Sequence, residues 1–183
     1  MPVGSGSQLT KIAKGFRELH KVGLLDEEPH VRVSGAQAEG CSPVATAFAG
    51  GHEYIRPVKP STIAKSLAIG NPADGPYALD EVRRSGGALE AVTDQEIVDA
   101  MLLLARTEGI FAETAGGVTI ATLAKLAAAG VIRSDERVVA YVTGHGLKTI
   151  EAVAPVAAPT VTIPATMEAF YEALGHELEE NPA

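Results

Sequence analysis

Tryptophan is absent and cysteine occurs once, as Cys41. A lone cysteine excludes an internal disulfide and a cysteine-based zinc site within the chain. Aromatic residues make up only 4% of 183 residues, so Ala, Val, Leu and Ile must build the core. That composition favours helices packed on a sheet. Lys and Arg form no cluster and the net charge is −8, which argues against a nucleic-acid partner. No apolar run is long enough to span a bilayer, and no basic segment leads an apolar one at the start. Neither a membrane partner nor a signal peptide is therefore expected, and a cytoplasmic setting is the simplest reading.

The apolar spacing predicts alternating strands and helices. Leu9, Ile12, Ala13, Phe16 and Leu19 share one helical face, with Ser7 as a cap and Gly23 as a stop. His30 to Gly35 reads as a short strand. Ser42-Pro43 opens a second helix with Pro at its first position. Ser61 to Ala68 and Leu79 to Arg84 read as further helices, separated by the Asn71-to-Pro76 turn. Ala88 to Val92 is a candidate strand. Thr93 three residues ahead of Glu96 forms a capping box for the helix that ends at Gly109. An Ala- and Leu-rich helix follows the Glu113-to-Gly117 turn. Arg137 to Val142 is the most apolar strand candidate, as expected of a strand covered on both faces. Ala152 to Pro164 reads as an extended linker, Met167 to Leu178 as an amphipathic helix, and Glu179 to Ala183 as a fraying end. The expected class is α/β with a mainly parallel sheet flanked by helices.

Two small-residue turns carry the chemistry. Gly4-Ser5-Gly6-Ser7 runs straight into a helix, where bare backbone N–H groups and the positive dipole end favour a phosphate. It is neither a Walker A loop nor a complete dinucleotide fingerprint. A phosphate monoester held without a metal fits it, and so does a loop with no ligand. The turn alone does not decide between them. Thr143-Gly144-His145-Gly146 follows a predicted strand, where open α/β sheets place ligands, and Thr143 offers a neutral hydroxyl there. His145, among glycines, is more readily an exposed turn residue than an acid or base. Glu113 is more readily a helix-start carboxylate than a pocket residue. The histidines show no metal-ligand spacing, so no metal is expected.

Four blocks together have a family likeness: Pro2-Val3-Gly4-Ser5-Gly6-Ser7-Gln8, Ile63 through Pro72, Glu108 through Glu113, and Thr143-Gly144-His145-Gly146-Leu147-Lys148. In content, order and separation they resemble the C-terminal part of the threonine synthase family. These are fold-type II enzymes that depend on pyridoxal phosphate and share a tryptophan-synthase-β-like large domain. The resemblance implies that residues 1–153 are the C-terminal part of that domain and 154–183 a linker and terminal helix. It implies that Gly4, Ser5, Gly6, Ser7 and Gln8 hold the cofactor phosphate and that Thr143 faces the pyridine nitrogen. The family loop is commonly Gly-Asn-x-Gly-Asn; Ser5 and Gln8 stand at the Asn positions and Ser7 at the second Gly.

The implied reaction converts O-phospho-L-homoserine and water to L-threonine and phosphate. Family analogy adds a homodimer. The family's Schiff-base lysine lies in the N-terminal half. None of Lys11, Lys14, Lys21, Lys59, Lys65, Lys125 and Lys148 stands in its context. No catalytic residue is assigned, and this chain alone is expected to be inactive. The alternatives are a non-catalytic fragment or pseudoenzyme that binds a phosphate or the cofactor, and another fold-type II enzyme such as a threonine or serine dehydratase.

Overall fold

Gly35–Ala38 (β1) and Leu89–Val92 (β2) run parallel, with Gly35 opposite Leu89 and Ala38 opposite Val92. Pro2 bridges to Ala36, also in parallel. The Val3 N–H donates to the Ala36 carbonyl and the Ala36 N–H to the Met1 carbonyl, both at 2.9 Å. The computed structural model describes residues 1–157 and 161–180, and of 175–180 the backbone alone. It divides into two units, Met1–Ala152 and Val153–Ala183.

In the first unit the helices are α1 (Ser7–Lys21), α2 (Pro43–Ala49), α3 (Gly75–Ser85), α4 (Asp94–Glu108) and α5 (Thr114–Ala128). Both α2 and α5 pack on both strands, and every residue of β1 is buried. Parallel strands need that two-sided cover. Leu9, Val44, Leu79, Val82 and Leu89 form the core that α1, α2 and α3 share. On α5, Gly117 lets α4 approach so closely that a Cβ there would lie 2.7 Å from the Ile97 carbonyl oxygen. Buried Gln37 ties three segments together. Its Oε1 accepts from the Val44 and Ala45 N–H groups at 2.9 Å, and its Nε2 donates to the Val3 carbonyl at 3.2 Å.

Local signals place the helix ends. Gly23, at φ +76°, donates to the His20 carbonyl and closes α1. Pro43 opens α2. The capping box of α4 is complete, with the Glu96 N–H on Thr93 Oγ1 at 3.2 Å and the Thr93 N–H on Glu96 Oε2 at 2.6 Å.

Five expectations are corrected. Ser7 does not cap α1: Gly6 stands at the N-cap, Ser7 is the first helical residue, and no side chain caps the helix. The strand lies at Gly35–Ala38, not His30 to Gly35. A Cβ on Gly35 would fall 2.5 Å from Leu89 Cδ2, so only a very small residue enters the sheet there. Ser61 to Ala68 holds a single 3-10 turn, Lys65–Leu67, in place of the expected helix. Thr62 Oγ1 donates to Asp94 Oδ1 at 2.5 Å and the Ile63 N–H to Oδ2 at 3.2 Å, which ties this segment to the start of α4. The third helix begins at Gly75, four residues before Leu79. Arg137 to Val142 is irregular and joins no ladder among the described residues, with Val139 73% exposed. An apolar segment becomes a strand only where a second strand takes its N–H and C=O groups.

In the second unit the expected linker contains a short helix, α6 (Ala154–Ala157), and α7 spans Met167–Glu180. Residues 158–160 of the linker and 181–183 of the fraying end lie outside the described residues.

Candidate functional site

A 15-residue helix sets one end of the site. Gly6 precedes α1 at φ +92°, a left-handed conformation that glycine adopts without strain. A Cβ on Gly6 would also lie 2.6 Å from the Asp74 carbonyl oxygen. The Asp74 N–H donates to the Ser5 carbonyl at 2.9 Å, so residues 71–75 brace the loop. The loop's donors point elsewhere: no acceptor among the described residues takes the N–H groups of Gly4, Ser5, Gly6 or Gln8. Four free donors at a helix N-terminus make a seat for an anion.

Those residues line a cavity of about 260 Å³. Gly4, Ser5, Gly6 and Gln8 form one wall. Ser66, Leu67 and Ile69 form a second, which meets the loop closely: a Cβ on Gly4 would lie 3.3 Å from Ile69 Cδ1. The third wall is Glu113, Ala115 and Thr143. The loop and Thr143, 135 or more residues apart in sequence, therefore face one space. Ser7 is not in its lining; its N–H turns to Ser5 Oγ at 3.3 Å.

Backbone pairing straps the Thr143 segment onto the start of α5. The Glu113 N–H donates to the Gly144 carbonyl at 3.2 Å and the Gly146 N–H to the Phe111 carbonyl at 2.8 Å. Thr149 Oγ1 accepts the Thr114 N–H at 3.1 Å. Glu113 is only 4% exposed. Lys148 Nζ lies 3.1 Å from its Oε2, off the line of a hydrogen bond, and no other described group donates to that oxygen. The resemblance had left Glu113 without a role; the cavity includes it. Nothing in the local sequence pairs Glu113 with Lys148, because 35 residues separate them.

His145 lies outside the cavity lining, edge-on to Phe111 with ring centroids 5.9 Å apart. Among the described residues no lysine lines the cavity. Lys65 pairs with Glu151 at 3.2 Å, and Lys125 Nζ donates to the Ala91 carbonyl at 2.9 Å. Among the described residues no His, Cys, Asp and Glu cluster could hold a metal, and no helix is long and apolar enough to cross a membrane. A larger groove of about 470 Å³ runs between α1, residues 30–34 and residues 136–141. Within it Arg32 meets Glu136 at 2.5 Å.

The family model for pyridoxal-phosphate dependent enzymes matches residues 1–144. The chain belongs to that family. The similarity extends to its threonine synthases. That of Methanocaldococcus jannaschii is 48% identical over 153 residues, covering 83% of this chain and 37% of the relative. That of Methanosarcina acetivorans is 42% identical over 175 residues, covering 95% and 43%. The chain thus spans less than half the length of these relatives. Solved structures share the fold. Threonine deaminase isoform 2 of Solanum lycopersicum superposes with a TM-score of 0.63 at 19% identity, over 86% of this chain and 43% of that one. The L-serine ammonia-lyase of Rhizomucor miehei gives 0.58 at 19%, over 85% and 48%. The α/β fold is therefore the fold-type II one, and members of the family depend on pyridoxal phosphate.

The donor set of this pyridoxal-phosphate family member fits that group. Free N–H groups at a helix N-terminus suit its phosphate, and Thr143, a hydroxyl-bearing residue of the lining, suits a ring nitrogen. The cavity is of a size for a ligand smaller than a drug-sized molecule.

Proposed function

We propose that this chain supplies the cofactor-holding part of a threonine synthase, which converts O-phospho-L-homoserine and water to L-threonine and phosphate. The observation that carries this reading is the single cavity shared by the Gly4-to-Gln8 loop and Thr143. The N–H groups of Gly4, Ser5, Gly6 and Gln8 bind and orient the phosphate of the cofactor, helped by the α1 dipole. Ser7 acts indirectly, by holding the Ser5 hydroxyl through its N–H. Thr143 meets the ring nitrogen with a neutral hydroxyl. Leu67 and Ile69 contribute apolar wall that keeps water from the ring. When bound, the cofactor supplies an electron sink for proton transfers on the substrate.

Identity of 48% to a threonine synthase, against 19% to the deaminase and the ammonia-lyase, supports the synthase over a dehydratase. One observation favours the second reading, a cofactor-binding but non-catalytic fragment: among the described residues no lysine lines the cavity. The two readings predict the same binding and differ in turnover only when the remaining length of the relatives is supplied.

The test is a titration of the purified chain with pyridoxal phosphate, followed by its absorbance and by phosphorus NMR. Saturable binding, competed by inorganic phosphate and lost in Gly6→Ala, is expected. Binding that survives Gly6→Ala and ignores phosphate would end the proposal. Incubated with O-phospho-L-homoserine and the cofactor, the chain alone is expected to release no threonine.

A further inference from the structure

Glu113 is the one charged side chain in the cavity lining among the described residues. Its nearest ammonium, Lys148 Nζ, reaches in from solvent: the Lys148 side chain is 64% exposed and that of Glu113 only 5%. The backbone fixes the encounter. Gly144 stands at φ +73°, and a Cβ on it would fall 2.2 Å from Glu113 Oε1. The same strap that carries Thr143 to the cavity therefore lays Lys148 over the carboxylate. Lys65, next to Ser66 of the lining, pairs instead with Glu151 at 3.2 Å. The His145 Nδ1 accepts the Leu147 N–H at 3.2 Å.

We infer that Lys148 is the counter-charge that keeps the Thr143 wall of the cavity electrically neutral, so that a ring nitrogen placed there stays unprotonated. A carboxylate left uncompensated beside a basic nitrogen favours the protonated ring. The pair removes that bias while Thr143 supplies a hydrogen bond and no charge. Lys148 is thus a positioning residue that acts through Glu113 and never touches the ligand. This inference rests on the reading that the cavity holds pyridoxal phosphate, with its phosphate on the Gly4-to-Gln8 loop.

The test loads the full chain with pyridoxal phosphate labelled with nitrogen-15 in the ring and follows that resonance from mildly acid to mildly alkaline solution. In Lys148→Met and Lys148→Gln the ring nitrogen is expected to gain proton affinity by about tenfold. Lys148→Arg should match the unaltered chain. The double variant Lys148→Met with Glu113→Gln should return to it, because both charges are then gone. A role confined to holding the strap would not show that return. An unmoved resonance in both neutral Lys148 variants would overturn the inference, and so would a double variant that keeps the single variant's shift. If the unaltered chain leaves the resonance where the free cofactor has it, the cavity reading falls and this inference with it.

Discussion

Gly6 packs against Asp74 without room for a side-chain carbon: a Cβ would sit 2.6 Å from the Asp74 carbonyl oxygen, and the backbone there is left-handed at φ +92°. Residues 68 apart in sequence thus hold the Gly4-to-Gln8 loop in shape. Gly6→Ala meets both obstacles. It is expected to cost about 1–3 kcal/mol of stability. It should also weaken phosphate and cofactor binding. A thermal melt and a binding titration check it; an unchanged melt would refute the contact.

Gln37→Leu keeps the volume and removes three hydrogen bonds in the core. The Val44 and Ala45 N–H groups and the Val3 carbonyl lose their partner. Buried groups left unpaired carry their full desolvation penalty. A loss of about 2–4 kcal/mol is expected in urea unfolding. Gln37→Glu keeps the acceptor for α2 but sets a buried carboxyl oxygen against the Val3 carbonyl, so it should cost at least as much near neutrality and less in acid, where the protonated carboxyl can donate to Val3.

The capping box of α4 gives a pH signature. The Thr93 N–H bonded to Glu96 holds that carboxyl below its usual range. A depressed carboxyl stabilises the fold above its unfolded-state value, and that contribution is lost as the pH falls through the lower folded-state one. Thr93→Ala should cost about 1 kcal/mol near neutrality. Glu96→Gln should cost less, and its cost should vanish in acid. Urea midpoints measured across that range decide it.

Cys41 is 1% exposed, and burial pushes its thiol pKa up. Thiol reagents are expected to label it only as the chain unfolds. Rapid labelling in native buffer would contradict the packing. Because the folded thiol holds its proton longer than the unfolded one, its contribution is present below the unfolded-state value and fades as the pH rises past it.

The helix ends were legible because their signals are local. Thr93 with Glu96, Ser42-Pro43 and Gly23 each act within a few residues of the terminus they set. The strands were less so. A strand is defined by its neighbour, and the apolar run at Arg137 to Val142 has no ladder partner among the described residues. The small-residue stretch Gly35–Ala38 is the strand because it fits between Leu89, Val3 and the helices. Ser61 to Ala68 is held by contacts from another element, Asp94, which its own spacing does not reveal.

The order of residues determined the α/β class, most helix ends, the small-residue turn ahead of α1 and the family likeness. Each depends on residue type and short spacing, which the linear chain carries. Only the folded chain decided that Gly4, Gly6 and Thr143 face one cavity, that Glu113 joins them, and that Lys148 covers that carboxylate. Those meetings depend on how helices and strands stack, and stacking brings together groups that no local spacing relates.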